Sequence, residues 1–270
     1  MQQGKIGFKE LYKKLLNYYL DSKNQWADYY VLPDFPPTSD DSPPLADLKV
    51  KETIIASKLL FSALPEMLKE RAIGVVHGKN FEQVQFSLKS YGELGLEYLG
   101  FGSFSTNGKN NSINILDSSS LKILKHVCSY AKERGVKLHI FGVSTPPAIY
   151  IFNKLGVYSF DSSAWLRSAG YGKIFMPFTR AYNITYRTIR NSALSSYDLQ
   201  VLKEITNHEC PFCNDVRELS KNRWYRILHN LIVLHETVEM LKTLLNDEIL
   251  NIIRFKSQKY YKLAKEISQM

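Results

Sequence analysis

The chain has 270 residues, 44% of them hydrophobic, enough to bury a full-sized core in one or two domains. Its formal net charge of +9 suits either a lysine-rich soluble protein or one that meets phosphates. Three cysteines exclude a disulfide framework, the start MQQGKIGFKELYKK has no apolar signal core, and no stretch reaches the roughly 18 unbroken apolar residues of a membrane span, so a soluble cytoplasmic protein without membrane contact is expected.

In chain order, FKELYKKLLNYYLDSKNQW reads as an amphipathic helix, ADYYVLP (27–33) as a first strand, and DFPPTSDDSPP as a loop. LADLKVKETIIASKLLFSALPEMLKE has apolar residues at helical spacing. AIGVVHG (72–78) leads into the helical NFEQVQFSLKSYGELG, and EYLGFGSFS (97–105) leads through an Asn/Gly/Ser loop into SSSLKILKHVCSYAKERG. VKLHIFGVS (136–144) leads into TPPAIYIFNKLG, with Thr145-Pro146 and Ser118 to Ser120 as helix-start signals, and VYSFDSSAW (157–165) closes the series. Five strand-then-helix units with strands apolar on both faces predict an α/β fold with a parallel sheet. KIFMPF and YNITYRTI read as a short hairpin, and the chain from about residue 197 as helical around a cysteine cluster.

That cluster is HECPFC (208–213), followed by HNL (229–231). His208, Cys210, Cys213 and His229 give the spacing H-x-C-x2-C-x15-H, with the thiolate and imidazole ligands that zinc prefers. Four protein ligands close the coordination sphere, so the metal is expected to be structural. The alternatives are two buried thiols beside a surface histidine, or a thioredoxin-like redox pair; the second normally opens a helix after a strand, whereas this pair follows a polar helical segment. His235, six residues beyond His229, falls on another side of the helix.

These residues together resemble the tRNA-guanine transglycosylases and their DNA-acting 7-deazaguanine relatives. That family has a (β/α)8 barrel and a zinc subdomain with three cysteines and a histidine in a His-Asn-Leu context; here His208 stands for the first cysteine. FGVSTPPAIYIFNKLGVYSFD (141–161) resembles the stretch that ends on the family's nucleophile, which implies that role for Asp161. GVVHGK (74–79) resembles the segment with a base-recognising glutamine, replaced here by His77. YLGFGSF (98–104) resembles the strand whose backbone contacts the base, near Gly102 and Ser103. YYVLPDFPP (29–37) resembles the strand whose aspartate pairs with the guanine edge, here Asp34.

The resemblance runs from about residue 10 to residue 245 in order, but nothing before residue 28 resembles the family's first three strands, including the Ser-Gly-Gly-Phe strand that carries a second catalytic aspartate. SSAWLRSAG after Asp161 is closer to the DNA-acting branch than to the tRNA enzymes. The implied organisation is a partial TIM-type barrel of about five βα units over 1–196, and a zinc-binding helical subdomain over 197–270.

The implied function is exchange of guanine for a 7-deazaguanine base in tRNA or DNA by a split or truncated pentosyltransferase. The alternative is a catalytically silent nucleic-acid-binding member that keeps the barrel and the zinc clip. A metal-dependent barrel hydrolase ranks below both, for want of a ligand cluster at strand ends. Lys173, Arg180, Arg187 and Arg190 suit phosphate contacts or an ordinary solvated face. Each site residue also has a plainer reading: Asp34 as the start of a proline-rich turn, Asp161 as a helix N-cap, His77 as a satisfied loop histidine. Strand counting adds a last expectation, that a complementary N-terminal fragment or a second copy covers the open edge of the sheet.

Overall fold

The computed structural model describes residues 8–102, 118–185 and 193–269, and the chain divides into two compact units, Met1–Phe141 and Gly142–Met270. The first unit is α/β. Helix α1 (Phe8–Leu20) precedes strand β1 (Tyr30–Val31), then α2 (Pro43–Ala63), α3 (Glu66–Lys69), β2 (Ala72–Val76), α4 (Phe81–Glu93), β3 (Tyr98–Phe101), α5 (Ser118–Arg134) and β4 (Lys137–Ile140). The four strands lie side by side in sequence order and every pairing is parallel. This is the arrangement that alternating strand and helix patterns dictate, because each parallel neighbour needs a crossover.

All of β2 and β3 is buried, which explains why AIGVV and YLGF carry no polar alternation. At Gly100 in β3 an added Cβ would lie 2.2 Å from the Phe141 ring, so the aromatic packs where any other side chain would stand. A buried polar chain ties the layers: Tyr91 on α4 donates to the Val75 carbonyl at 3.1 Å and meets the Ser57 hydroxyl of α2 at 3.2 Å. Ser57 in turn donates to the Pro33 carbonyl at 3.1 Å. The helix read from LADLKVK onward breaks at Leu64, whose backbone is extended (ψ 146°) because Pro65 disfavours the helical conformation before it.

The second unit carries α6 (Pro146–Lys154), β5 (Ser159–Phe160), α7 (Ala164–Gly170), β6 (Lys173–Ile174), β7 (Tyr182–Asn183), α8 (Ser196–Thr206), α9 (Val216–Lys221), α10 (Arg223–Thr243), α11 (Asn246–Lys256) and α12 (Gln258–Ser268). Pro146 opens α6 as the sequence predicted, with Thr145 at the N-cap. β6 and β7 form the expected antiparallel hairpin, with Lys173 opposite Asn183 and Ile174 opposite Tyr182. Cys210 and Cys213 belong to a buried cluster with Ile174, Met176, Tyr182, Leu199, Leu202 and Leu219, so the cysteine loop is embedded among the hairpin, α8 and α9. No described helix is long and apolar enough to cross a membrane.

Candidate functional site

Two groups of predicted residues are assembled, one in each unit. In the second unit, a left-handed Asn207 (φ 48°) ends α8, and the chain turns through His208, Cys210 and Cys213 to meet His229 on α10. All four side chains are buried, and their ligand-capable atoms lie within 4.8 Å of one another. Cys210 Sγ is 3.3 Å from Cys213 Sγ and 3.3 Å from His229 Nδ1. The His208 and His229 rings meet edge to face at 4.9 Å. His208 Nε2 is buried without a hydrogen-bond partner.

A metal fits this set. The donors are the soft sulfur and imidazole atoms that zinc takes, and an orphaned ring nitrogen buried beside two sulfurs is what an intended ligand looks like. Electrostatics support it. The Cys213 thiol is held well below its ordinary value, first by the S–H it accepts from Cys210 and then by the imidazoles beside it. Cys210 is pushed up by the bond it gives Cys213 and by burial. Burial opposes charging His208, but Cys213 and Glu236 outweigh it and raise the imidazole to about 9.

The His-Asn pair on α10 performs one further task. Asn230 Oδ1 accepts from the Phe175 N–H at 2.8 Å, while His229 Nε2 reaches the Phe175 carbonyl at 2.8 Å. Asn230 Nδ2 donates to the Trp165 and Lys173 carbonyls at 3.1 and 3.2 Å. The motif thus clamps the backbone after β6 and leaves His229 Nδ1 toward the sulfurs. Nearby, buried Arg226 donates to the carbonyls of Ala169 (2.9 Å), Leu219 (2.6 Å) and Ser220 (2.9 Å), closing the C-terminal ends of α7 and α9. Its role had no signal in the sequence. Glu236 was also missed, although it stands seven residues after His229 and so on the same helix face.

In the first unit, Asp34 and His77 are brought together. The parallel register, Tyr30 with Ala72 and Val31 with Ile73, carries the segments after β1 and β2 to the same sheet end, where His77 Nε2 meets Asp34 Oδ2 at 2.8 Å. His77 is 3% exposed, whereas the Asp34 carboxylate is 37% exposed. The proline-rich loop that carries Asp34 is pinned. Phe35 N donates to Thr53 Oγ1 at 2.9 Å, Lys49 pairs with Asp41 at 2.7 Å, and Lys79 Nζ reaches the Asp41 carbonyl at 2.9 Å. Although burial opposes it, Lys49 and the Thr38 N–H together hold the Asp41 carboxyl below its ordinary value.

Gly102 directly follows β3 with Phe141 against it, and Ser103 falls outside the described residues. Asp161 follows β5 in the second unit, exposed, with its Oδ1 accepting from the Gly142 N–H at 3.2 Å. It does not cap α7: that helix starts after Ser163, and the Ala164 N–H goes to Ser162 Oγ at 2.9 Å. Lys173 and Arg180 are exposed, the guanidinium 5.6 Å from the centre of the Tyr182 ring; Arg187 and Arg190 lie outside the described residues.

Fold and site define an α/β protein with a buried Cys2His2 cluster and an aspartate–histidine pair at the ends of parallel strands. No protein-family model matches the chain, and no curated protein matches its sequence.

Proposed function

We propose that the chain is a base-exchange transglycosylase of the tRNA-guanine type, acting on guanine in tRNA or DNA, with a TIM-type barrel architecture. The observation that carries this reading is the Asp34–His77 contact at 2.8 Å, between residues selected from two separate sequence fragments for one task, recognition of a purine-like base. The exposed Asp34 carboxylate suits acceptance of the N1–H and exocyclic amine of such a base, and charge-assisted bonds of this kind are about twice as strong as neutral ones. His77, buried behind it, orients that carboxylate. Asp161, whose Oδ1 accepts from the Gly142 N–H, is the nucleophile. Its carboxylate attacks C1′ as the glycosidic bond breaks and guanine leaves with the bonding electrons. The incoming base then attacks C1′ through its own ring nitrogen, releases Asp161, and gives up a proton equivalent to the one the departing guanine takes.

The buried Cys2His2 set is the zinc clip of the second unit, with His208, Cys210, Cys213 and His229 as ligands and no part in the exchange. Phosphate contacts fall to exposed Lys173 and Arg180, together with Arg187 and Arg190.

The test is exchange of radiolabelled guanine into tRNA and into DNA, with trapping of the covalent adduct. Asp161→Asn should abolish the adduct and leave the fold intact, because an amide is a poor nucleophile at C1′. Exchange by that variant at the parental rate would refute the assignment. The second reading is a silent nucleic-acid-binding member that keeps the zinc clip, for which the formal net charge of +9 suits phosphate contact. It expects nucleic-acid binding without exchange, alone or with a partner fragment or second copy.

A further inference from the structure

His208 has two ring nitrogens, and each has a different neighbour. Nε2 is buried without a hydrogen-bond partner, in a group whose ligand-capable atoms all lie within 4.8 Å. Nδ1 is hydrogen-bonded to Oε2 of Glu236. That carboxylate stands on α10 seven residues beyond His229, two helical turns along the same face, so one helix supplies both a ligand and the group that holds another ligand. With Nδ1 engaged by the carboxylate, Nε2 is the nitrogen left for a metal once its own proton is displaced. His229 is arranged in the opposite sense: its Nε2 contacts the Phe175 carbonyl at 2.8 Å and its Nδ1 is 3.3 Å from Cys210 Sγ.

We propose that Glu236 is a positioning residue for the metal: it selects Nε2 of His208 as the bonding atom, fixes the ring plane and increases its basicity. This rests on reading the cluster as a metal site. An imidazole bonds a metal only with its ring correctly turned and its proton on the far nitrogen, whereas a thiolate at the same place needs neither. A histidine in this position therefore requires an acceptor behind it, and Glu236 is that acceptor. The Glu236 side chain is 27% exposed and forms part of the wall of a groove of about 630 Å³ with Met240, Ile252 and Phe255. The far end of the contact is therefore open to solvent.

The experiment is competition for Zn²⁺ between the full-length protein and a chromogenic chelator, for the parent, Glu236→Gln, Glu236→Leu, His208→Cys and the double variant His208→Cys/Glu236→Leu. Glu236→Leu should bind Zn²⁺ about 10- to 100-fold more weakly than the parent, and Glu236→Gln should fall between them. In the His208→Cys background, Glu236→Leu should change the affinity less than about twofold, because a thiolate has no second nitrogen to hold. Urea unfolding of apo and Zn²⁺-loaded samples separates this from general stability: Glu236→Leu should lower the midpoint of the loaded form only. Equal loss in both forms, parental affinity in Glu236→Leu, or the same loss with His208→Cys would overturn the proposal. A parent that takes up no metal would instead remove the metal reading on which it stands.

Discussion

His229 holds Phe175 by its carbonyl oxygen, Nε2 to O at 2.8 Å, and this bond leaves the other ring nitrogen for the cysteine loop. The adjacent Asn230 takes the N–H of the same residue at 2.8 Å, so two consecutive side chains on α10 satisfy both backbone groups of one buried position. The cysteine–histidine cluster and the hairpin of the second unit are therefore mechanically one object.

Asn230→Ala should be among the most damaging single substitutions in that unit. It leaves the Phe175 N–H and the Trp165 and Lys173 carbonyls without their partner. At about 1–3 kcal/mol for each buried unsatisfied group, a loss on the order of 3 kcal/mol is expected in urea unfolding. A change below about 1 kcal/mol would show that water replaces the amide.

Protein purified without added metal should carry about one Zn²⁺ per chain by elemental analysis, and chelation should lower the thermal midpoint. Cys213→Ser should lose the metal, since it removes one of the two buried sulfur ligands. A metal-free protein with an unchanged midpoint would contradict the ligand reading.

Asp34→Ala should weaken base binding by about 1–3 kcal/mol, a rise of roughly 5- to 150-fold in KM for the incoming base, with a smaller effect on kcat. His77→Ala should act in the same direction through the carboxylate it orients. Steady-state exchange kinetics separate these from Asp161→Asn, which acts on the chemical step.

The loop over the strand ends should loosen in acid. Asp41 titrates below its ordinary value of 3.8 in the folded chain, so its contribution is fully present above that value and is lost as pH falls through the folded one. The protection of the Thr38 N–H, which Asp41 accepts at 2.6 Å, against hydrogen exchange relative to a free amide should fall below about pH 4, and in Asp41→Asn should already be low at neutral pH. Equal protection in parent and variant would remove Asp41 from this role.

Gly100→Ala should destabilise by about 1–3 kcal/mol, because its Cβ would meet the Phe141 ring at 2.2 Å. A thermal midpoint equal to that of the parent would mean the ring has somewhere else to go.

What the sequence made legible follows from chemistry that is local. Continuous apolar runs such as AIGVV specify strands buried on both faces, and Thr145-Pro146 specifies a helix start. The cluster was readable because its ligands are rare residues at short spacing. The break before Pro65 was lost inside a strong helical periodicity, although one proline outweighs many good helix formers. Glu236 and the clamping task of Asn230 were not legible, since what a glutamate or asparagine on a helix bonds depends on the element opposite. Asp34 and His77 were each identified, but their contact, 43 residues apart in the chain, depends on the register that pairs Tyr30 with Ala72, which no local pattern encodes.

The outer side of β1 has a further consequence. Val31 points away from β2, and its carbonyl accepts the Tyr19 hydroxyl of α1. Burial, with Tyr18, Asp34 and Tyr30 nearby, lifts that phenol to about 12, so it stays a donor at any ordinary pH. A strand arriving at this border would have to expel the phenol before forming its first rung there, whether it came from a partner fragment or from a misfolded neighbour. The tyrosine acts as a latch: it occupies a backbone acceptor that an added strand would need, and its hydroxyl would then require another acceptor.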